Sequence, residues 1–137
     1  MAHTTQSPSP ADLVDLLESR ALAHVATVGP DGAPQVNPVW FDWDGRHLRF
    51  SQTAERQKVR NLRRDPRIAV SIVDPGNPYR YLELRGVVAG IEPDPDFAFV
   101  DKVTRKYPGQ GRDPSRNPPG EERVVVVVEP RRATRMG

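Results

Sequence analysis

The sequence predicts a mainly β fold, an antiparallel barrel with short helices packed on it. Three observations lead there. Runs of five to thirteen residues with alternating or continuous apolar character recur along the chain. Turn residues at hairpin length separate several of them, as in GPDG at 29–32, DG at 44–45 and DPGNP at 74–78. The stretches with helical periodicity are few and short. At 137 residues the chain is expected to make one domain, long enough to bury a real core.

Residues 1–9 read as a disordered polar tail, and 10–137 as the domain. Ser9, with Pro10 behind it and Asp12 in the first turn, opens a helix PADLVDLLES whose Leu13, Leu16 and Leu17 share one face. LAHVATV (22–28), QVNPVWF (35–41) and HLRFS (47–51) form a three-stranded meander. Pro38 lacks an N–H, which demotes the second of these to an edge or bulged strand. Thr53 is the expected N-cap of a helix that runs to Arg64, where Asp65 and Pro66 stop it. RIAVSIV (67–73) and YRYLELRGVVAGI (79–91) are strands, the second bending at Gly86. Phe97, Val100 and Val103 lie at helical spacing within 94–107, capped by Asp94. Residues 108–122 are too rich in Pro and Gly for regular structure, and VVVVV (124–128) is a strand buried on both faces.

Twenty basic residues face eighteen acidic ones, so the formal charge is only +2 and basicity is local. A broad nucleic-acid-binding face is not expected from that balance. The absence of cysteine excludes disulfides, thiolate chemistry and Cys-ligated metal. No metal-ligand, Ser/His/Asp or paired-carboxylate constellation stands out. No apolar run is long enough for a membrane span, and MAHTTQSPSP has neither a basic nor an apolar signal region, so a cytoplasmic protein is expected.

The local basicity is concentrated in RQKVRNLRRDPR (56–67), six cations offset by Asp65 alone. On a helix, Val59 and Leu62 fall on the core stripe while Arg56, Arg60 and Arg64 form a like-charged i, i+4 row, costing a few tenths of a kcal/mol per pair. Arg56 sits in the first turn, where the helix dipole disfavours a cation unless an anion is present. The N-terminal amides with Arg56 and Lys58 describe a site for one phosphate, and Arg63 and Arg64 are then expected to stay solvated. A solvated helix whose cationic stems cover apolar surface, and nucleic-acid binding, are the competing readings.

LAHVATVGPDGAPQVNPVWFDWDG, RQKVRNLRRDPRIAV and NPYRYLELRG, in this order and closed by RVVVVVEP, resemble the pyridoxamine 5'-phosphate oxidase-like split-barrel superfamily. Within it the chain is most similar to the actinobacterial oxidoreductases that depend on a deazaflavin, coenzyme F420. The resemblance implies a six- to seven-stranded antiparallel split β-barrel of the FMN-binding type, a homodimer with two cofactors in clefts between subunits. By position, Ser51, Gln52, Thr53, Arg56 and Lys58 would hold the cofactor phosphate. Pro38, Val39 and Trp40 would flank its tricyclic ring, with Tyr79 and Tyr81 approaching from the other subunit. The bland alternatives are that Trp40 is ordinary core and the tyrosines an aromatic pair on a half-buried strand.

The flavin-mononucleotide oxidases of the superfamily tend to carry cations at both ends of the strand equivalent to 36–41, where this chain has Val36 and Phe41. That departure speaks against a pyridoxamine-phosphate oxidase and mildly for F420, with FMN as the alternative cofactor. The implied activity is hydride transfer from C5 of the reduced deazaflavin to a small conjugated acceptor such as an enone, imine or quinone-like compound. An FMN-binding oxidoreductase and a non-catalytic F420 carrier or sensor are the competing readings. His24 and His47 fall within strands, so the catalytic residues stay unassigned, and 108–121 is expected to act as a mobile lid.

Overall fold

The computed structural model describes residues 3–6, 13–107 and 120–136. Eight antiparallel strands form one sheet: β1 His3–Gln6, β2 Ala23–Val28, β3 Pro34–Val39, β4 Asp42–Trp43, β5 Leu48–Thr53, β6 Arg67–Asp74, β7 Asn77–Pro93 and β8 Arg123–Met136. Among the described residues three helices, α1 Val14–Leu17, α2 Gln57–Arg64 and α3 Ala98–Lys106, connect or cover them. The spatial order is β3-β2-β6-β7-β8-β5-β4, with β1 pairing β8 off this path. The sheet curls round one apolar interior and stays open between β3 and β4, a split barrel.

Hairpin chemistry sets the register. Gly32 takes φ 85° and Gly45 φ 94°, the left-handed region that glycine enters without penalty. Asp31 and Asp44 accept backbone N–H bonds across those turns. Alternation then sends Ala23, Val25, Val39, Phe41, Leu48, Phe50, Val70, Ile72, Leu82 and Leu84 inward, joined by Leu13, Leu16 and Leu17 from the α1 region. Val59 and Leu62 are the buried side of α2, as the 100° spacing requires.

Asn61, wholly buried on α2, donates to Thr27 Oγ1 (3.0 Å) and Gln35 Oε1 (3.1 Å) and accepts from Gln57 Nε2 (2.8 Å). Arg64 donates to the Val28 carbonyl. Polar bonds therefore tie α2 to the β2–β3 hairpin, and Arg64 is exposed, as the sequence suggests, while its guanidinium also donates to that carbonyl.

Several expectations need correction. His3–Gln6 pair with β8 where a disordered tail was expected, because β8 runs on to Met136 and offers them an edge. The first-turn residues Ser9, Pro10 and Asp12, and the greater part of the expected lid, lie outside the described residues. Thr53 does not cap α2. It ends β5 and donates its hydroxyl to Glu121, leaving Arg56 at the N-cap. Asp94 does cap α3, accepting from the N–H groups of Phe99 and Val100, but the helix starts later than expected because Phe97 adopts φ 57°.

β8 continues well past the valines, through Pro130, because a register shift opposite Arg85/Gly86 accommodates a residue that cannot donate to the ladder. Gly86 is the other half of that device. A Cβ there would stand 2.0 Å from the Glu129 carbonyl oxygen, so the two backbones meet only because the side chain is absent. Gly86→Ala is expected to lower stability by about 2–3 kcal/mol through this overlap, seen as a reduced urea midpoint with an unchanged m-value.

Candidate functional site

Where β3 ends, β5 ends and β8 begins, the sheet leaves a cleft of about 450 Å³. Pro38, Val39 and Trp40 form one wall, Val100, Val103 and Thr104 of α3 line it as well, and Leu22, Ser51, Gln52 and Arg123 complete it. Most of the lining is apolar, and its few polar groups converge, the usual make-up of a small-molecule site. Two of them are already spent. Gln52 Oε1 accepts the Thr53 N–H, and Thr104 Oγ1 donates to the Asp101 carbonyl. Two make no hydrogen bond among the described residues: buried Ser51 Oγ, and buried Arg123 Nε, which has Glu121 Oε1 3.2 Å away as an ion-pair partner only. Orphaned buried donors are rare and costly, and a cleft that contains two suits a ligand with acceptor oxygens.

Of the ten residues anticipated for cofactor binding, the structure brings Pro38, Val39, Trp40, Ser51 and Gln52 together in this cleft. Thr53 follows directly on β5. Arg56 and Lys58 do not line the cleft; Arg56 is exposed at the N-cap of α2 and Lys58 is buried in its first turn at 8% exposure. Burial, and then the neighbouring Arg56 charge, lower the Lys58 pKa, and among the described residues it has no carboxylate partner. An ammonium in that setting gains from any anion brought beside it.

Tyr79 and Tyr81 lie on β7 away from the cleft, Tyr79 exposed and Tyr81 half-buried. His24 and His47 are not cleft residues either. Phe41 is fully buried in the barrel and Val36 is 63% exposed on the outer sheet face, so neither position faces the cleft of its own chain. Leu22, Val100, Val103, Thr104 and Arg123 were not anticipated from the sequence as site residues. The helical spacing of Val100 and Val103 marks only a buried stripe, and nothing local to Arg123 announces that β8 starts at the cleft mouth.

A family model described as pyridoxamine 5'-phosphate oxidase matches residues 9–137. The chain belongs to this family. Among solved structures, one named F420 reductase is 49% identical with a TM-score of 0.78, covering 87% of this chain and 93% of its own. A conserved hypothetical protein of Mycobacterium tuberculosis is 27% identical with a TM-score of 0.73, covering 93% and 84%. General Stress Protein 26 of Bacillus anthracis, at 15% identity and TM-score 0.65 over 88% and 87% of the two chains, shares the fold.

In this member of the pyridoxamine 5'-phosphate oxidase family, the end of α3 secures the cleft wall. Tyr107 stacks on Trp40 with ring centroids 5.0 Å apart and planes 8° from parallel. Its hydroxyl donates to the Ala21 carbonyl (2.8 Å) and accepts the Phe41 N–H (3.3 Å). Burial pushes the phenol up to about 12, which keeps it neutral and able to donate. Trp40 is thus packed as the alternative reading supposed, yet it also faces the cleft.

Lys106 Nζ donates to the Phe41 carbonyl (3.0 Å) and approaches that of Leu17 (3.4 Å), 3.7 Å above the Phe41 ring centroid. Burial brings its pKa down to about 8, against the opposing pull of Asp42 and Glu18. Between about 8 and 10.5 the unfolded chain holds a proton that folded Lys106 has released. Stability should therefore rise with pH across that window, and the gain is lost again as pH falls through 8. Urea titrations from pH 7.5 to 10.5 should show this rise in the wild type and a flatter profile in Lys106→Met. Identical profiles would remove Lys106 as its source.

Proposed function

We propose that this protein is an F420-dependent oxidoreductase that reduces a small conjugated acceptor. The observation that carries the reading is the 49% identity to an F420 reductase across nearly the whole of both chains. The residues present suit such a cofactor: an apolar wall ending in Trp40, the buried donors Ser51 Oγ and Arg123 Nε that make no hydrogen bond among the described residues, and the cations Arg56 and Lys58 at the start of α2. When bound, the reduced deazaflavin supplies a hydride from its C5.

The protein's part is placement and exclusion. Pro38, Val39 and Trp40 would flank the ring, with Trp40 held in plane by Tyr107. Ser51, Gln52, Thr53, Arg56 and Lys58 would hold the phosphate. The apolar side chains of α3 keep water from the wall where an acceptor would lie, which favours a near-attack geometry.

Dimerisation belongs to the same proposal. On the outer face of β2 and β3, His24 stands opposite Pro38, Ala26 opposite Val36 and Val28 opposite Pro34. Leu22, Val36, Val73 and Tyr79 are exposed large apolar or aromatic residues on the chain, and an apolar hollow of about 340 Å³ lies among Ala26, Val28, Pro34 and Ala69. A second copy laid on this face would cover it, and because Leu22 and Pro38 belong to both face and cleft it would also close the cleft. Tyr79 and Tyr81 are then available to the partner's cofactor.

Oxidised F420 is expected to bind with micromolar or tighter affinity and FMN more weakly, in side-by-side fluorescence titrations. Since the family is flavin-related, tighter binding of FMN would overturn the cofactor assignment. Arg56→Ala and Lys58→Ala should each weaken F420 binding roughly tenfold to a hundredfold, the worth of a charged hydrogen bond. Turnover across a panel of enones, imines and quinones separates an enzyme from a carrier, which would bind F420 and reduce nothing. Separately, Val36→Glu is expected to convert a dimer to a monomer in light scattering; an unchanged mass would move the interface elsewhere.

A further inference from the structure

Among the described residues Arg123 is the one cation lining the cleft, and its surroundings have the form of an anion site filled from within. Its Nε lies 3.2 Å from Glu121 Oε1, an ion pair in which the Nε–H makes no hydrogen bond. That same carboxylate oxygen accepts the Thr53 hydroxyl at 3.1 Å, so Glu121 is tethered to β5 and does not offer a guanidinium the two parallel bonds it prefers. Both side chains are largely buried, 21% exposed for Arg123 and 12% for Glu121. Beside them, Ser51 Oγ is buried without a partner, and β5 and β8 fix the spacing through the Thr53–Arg123 and Ser51–Val125 register pairs.

We infer that Arg123 forms an anion subsite inside the cleft, adjoining the phosphate-holding group at Ser51 and distinct from the cations of α2, which Glu121 occupies in the free protein and yields to an anionic group of a bound ligand. The inference rests on reading the cleft as the ligand site. An incoming carboxylate or phosphate oxygen takes the guanidinium with better geometry and gives the Ser51 hydroxyl an acceptor. Glu121 then turns to water, where a carboxylate is well solvated. The net charge of the Arg123–Glu121 pair is zero, so a neutral ligand finds no attraction there and an anionic one must outcompete a poorly aligned partner. The anion could belong to an acceptor bearing an acidic group or to the cofactor itself, and the two sources give different titrations.

The test uses calorimetry on the full chain, wild type, Arg123→Gln and Glu121→Gln, with cinnamate, its neutral analogue cinnamamide, and F420 as probes. An acidic acceptor predicts that the wild type prefers cinnamate to cinnamamide. Arg123→Gln should then cut cinnamate affinity at least tenfold and leave cinnamamide unchanged, and Glu121→Gln should tighten cinnamate severalfold. If F420 affinity falls and rises in the two variants while cinnamate shows no preference, the subsite stands and serves the cofactor. The gain in Glu121→Gln is the decisive arm, since a misfolded variant cannot bind more tightly. If neither variant changes cinnamate or F420 affinity, the subsite is overturned. A wild type that binds cinnamate as described but no F420 would defeat the proposed function and leave the subsite standing.

Discussion

Packing of the β8 valines against two separate apolar layers fixes both sides of the molecule at once. Val126 and Val128 reach into the barrel, opposite Phe50 and Leu48, while Val125 and Val127 point outward to Phe99, Val103, Tyr107 and Trp40. Successive side chains on a strand leave opposite faces, so a slip of one residue would exchange the two layers and bury neither. Register is therefore determined on both neighbours of β8. From that register follow the pairs that bring Ser51 and Thr53 beside the start of β8, and with them the polar end of the cleft.

The cleft inherits its chemistry from where the elements stop. β3 and β5 run out at Val39 and Thr53, and α3 lies over the gap because its apolar side is held by the outward valines. The walls are thus made of residues already committed to packing, which is why Trp40 can be both buried partner and cleft surface. Tyr107 and Lys106 answer three backbone carbonyls, those of Ala21, Phe41 and Leu17, near the split of the barrel. Charge is kept at the rim and at α2, where Lys58 is buried without an ionic partner among the described residues.

Much of this was legible in the chain. Turn chemistry at Gly32 and Gly45 located the hairpins, alternation located the strands, and Pro38 placed β3 at the sheet edge, where it lies. The two-faced burial of the valines was also foreseeable, since an unbroken apolar run has no side to give to solvent. Local signals failed where tertiary partners decide. Thr53 looks like a helix cap but serves a carboxylate sixty-eight residues away. Pro130 looks like a strand stop but is admitted by a bulge against Gly86. That Pro38, Val39 and Trp40 gather at one place was readable by family resemblance, whereas the presence of Arg123 in the cleft was not, because it depends on which strand end meets which.

β8 carries one more consequence, for how the chain reaches this state. It is the last strand in sequence, yet it hydrogen-bonds to β1, β5 and β7, so three separated segments wait for it. Until it arrives, β5 and β7 each present an open edge able to recruit strands from other molecules. Long sequence separation between partners also slows the closing step. During synthesis the nascent protein must therefore hold its unfinished sheet until the final strand leaves the ribosome.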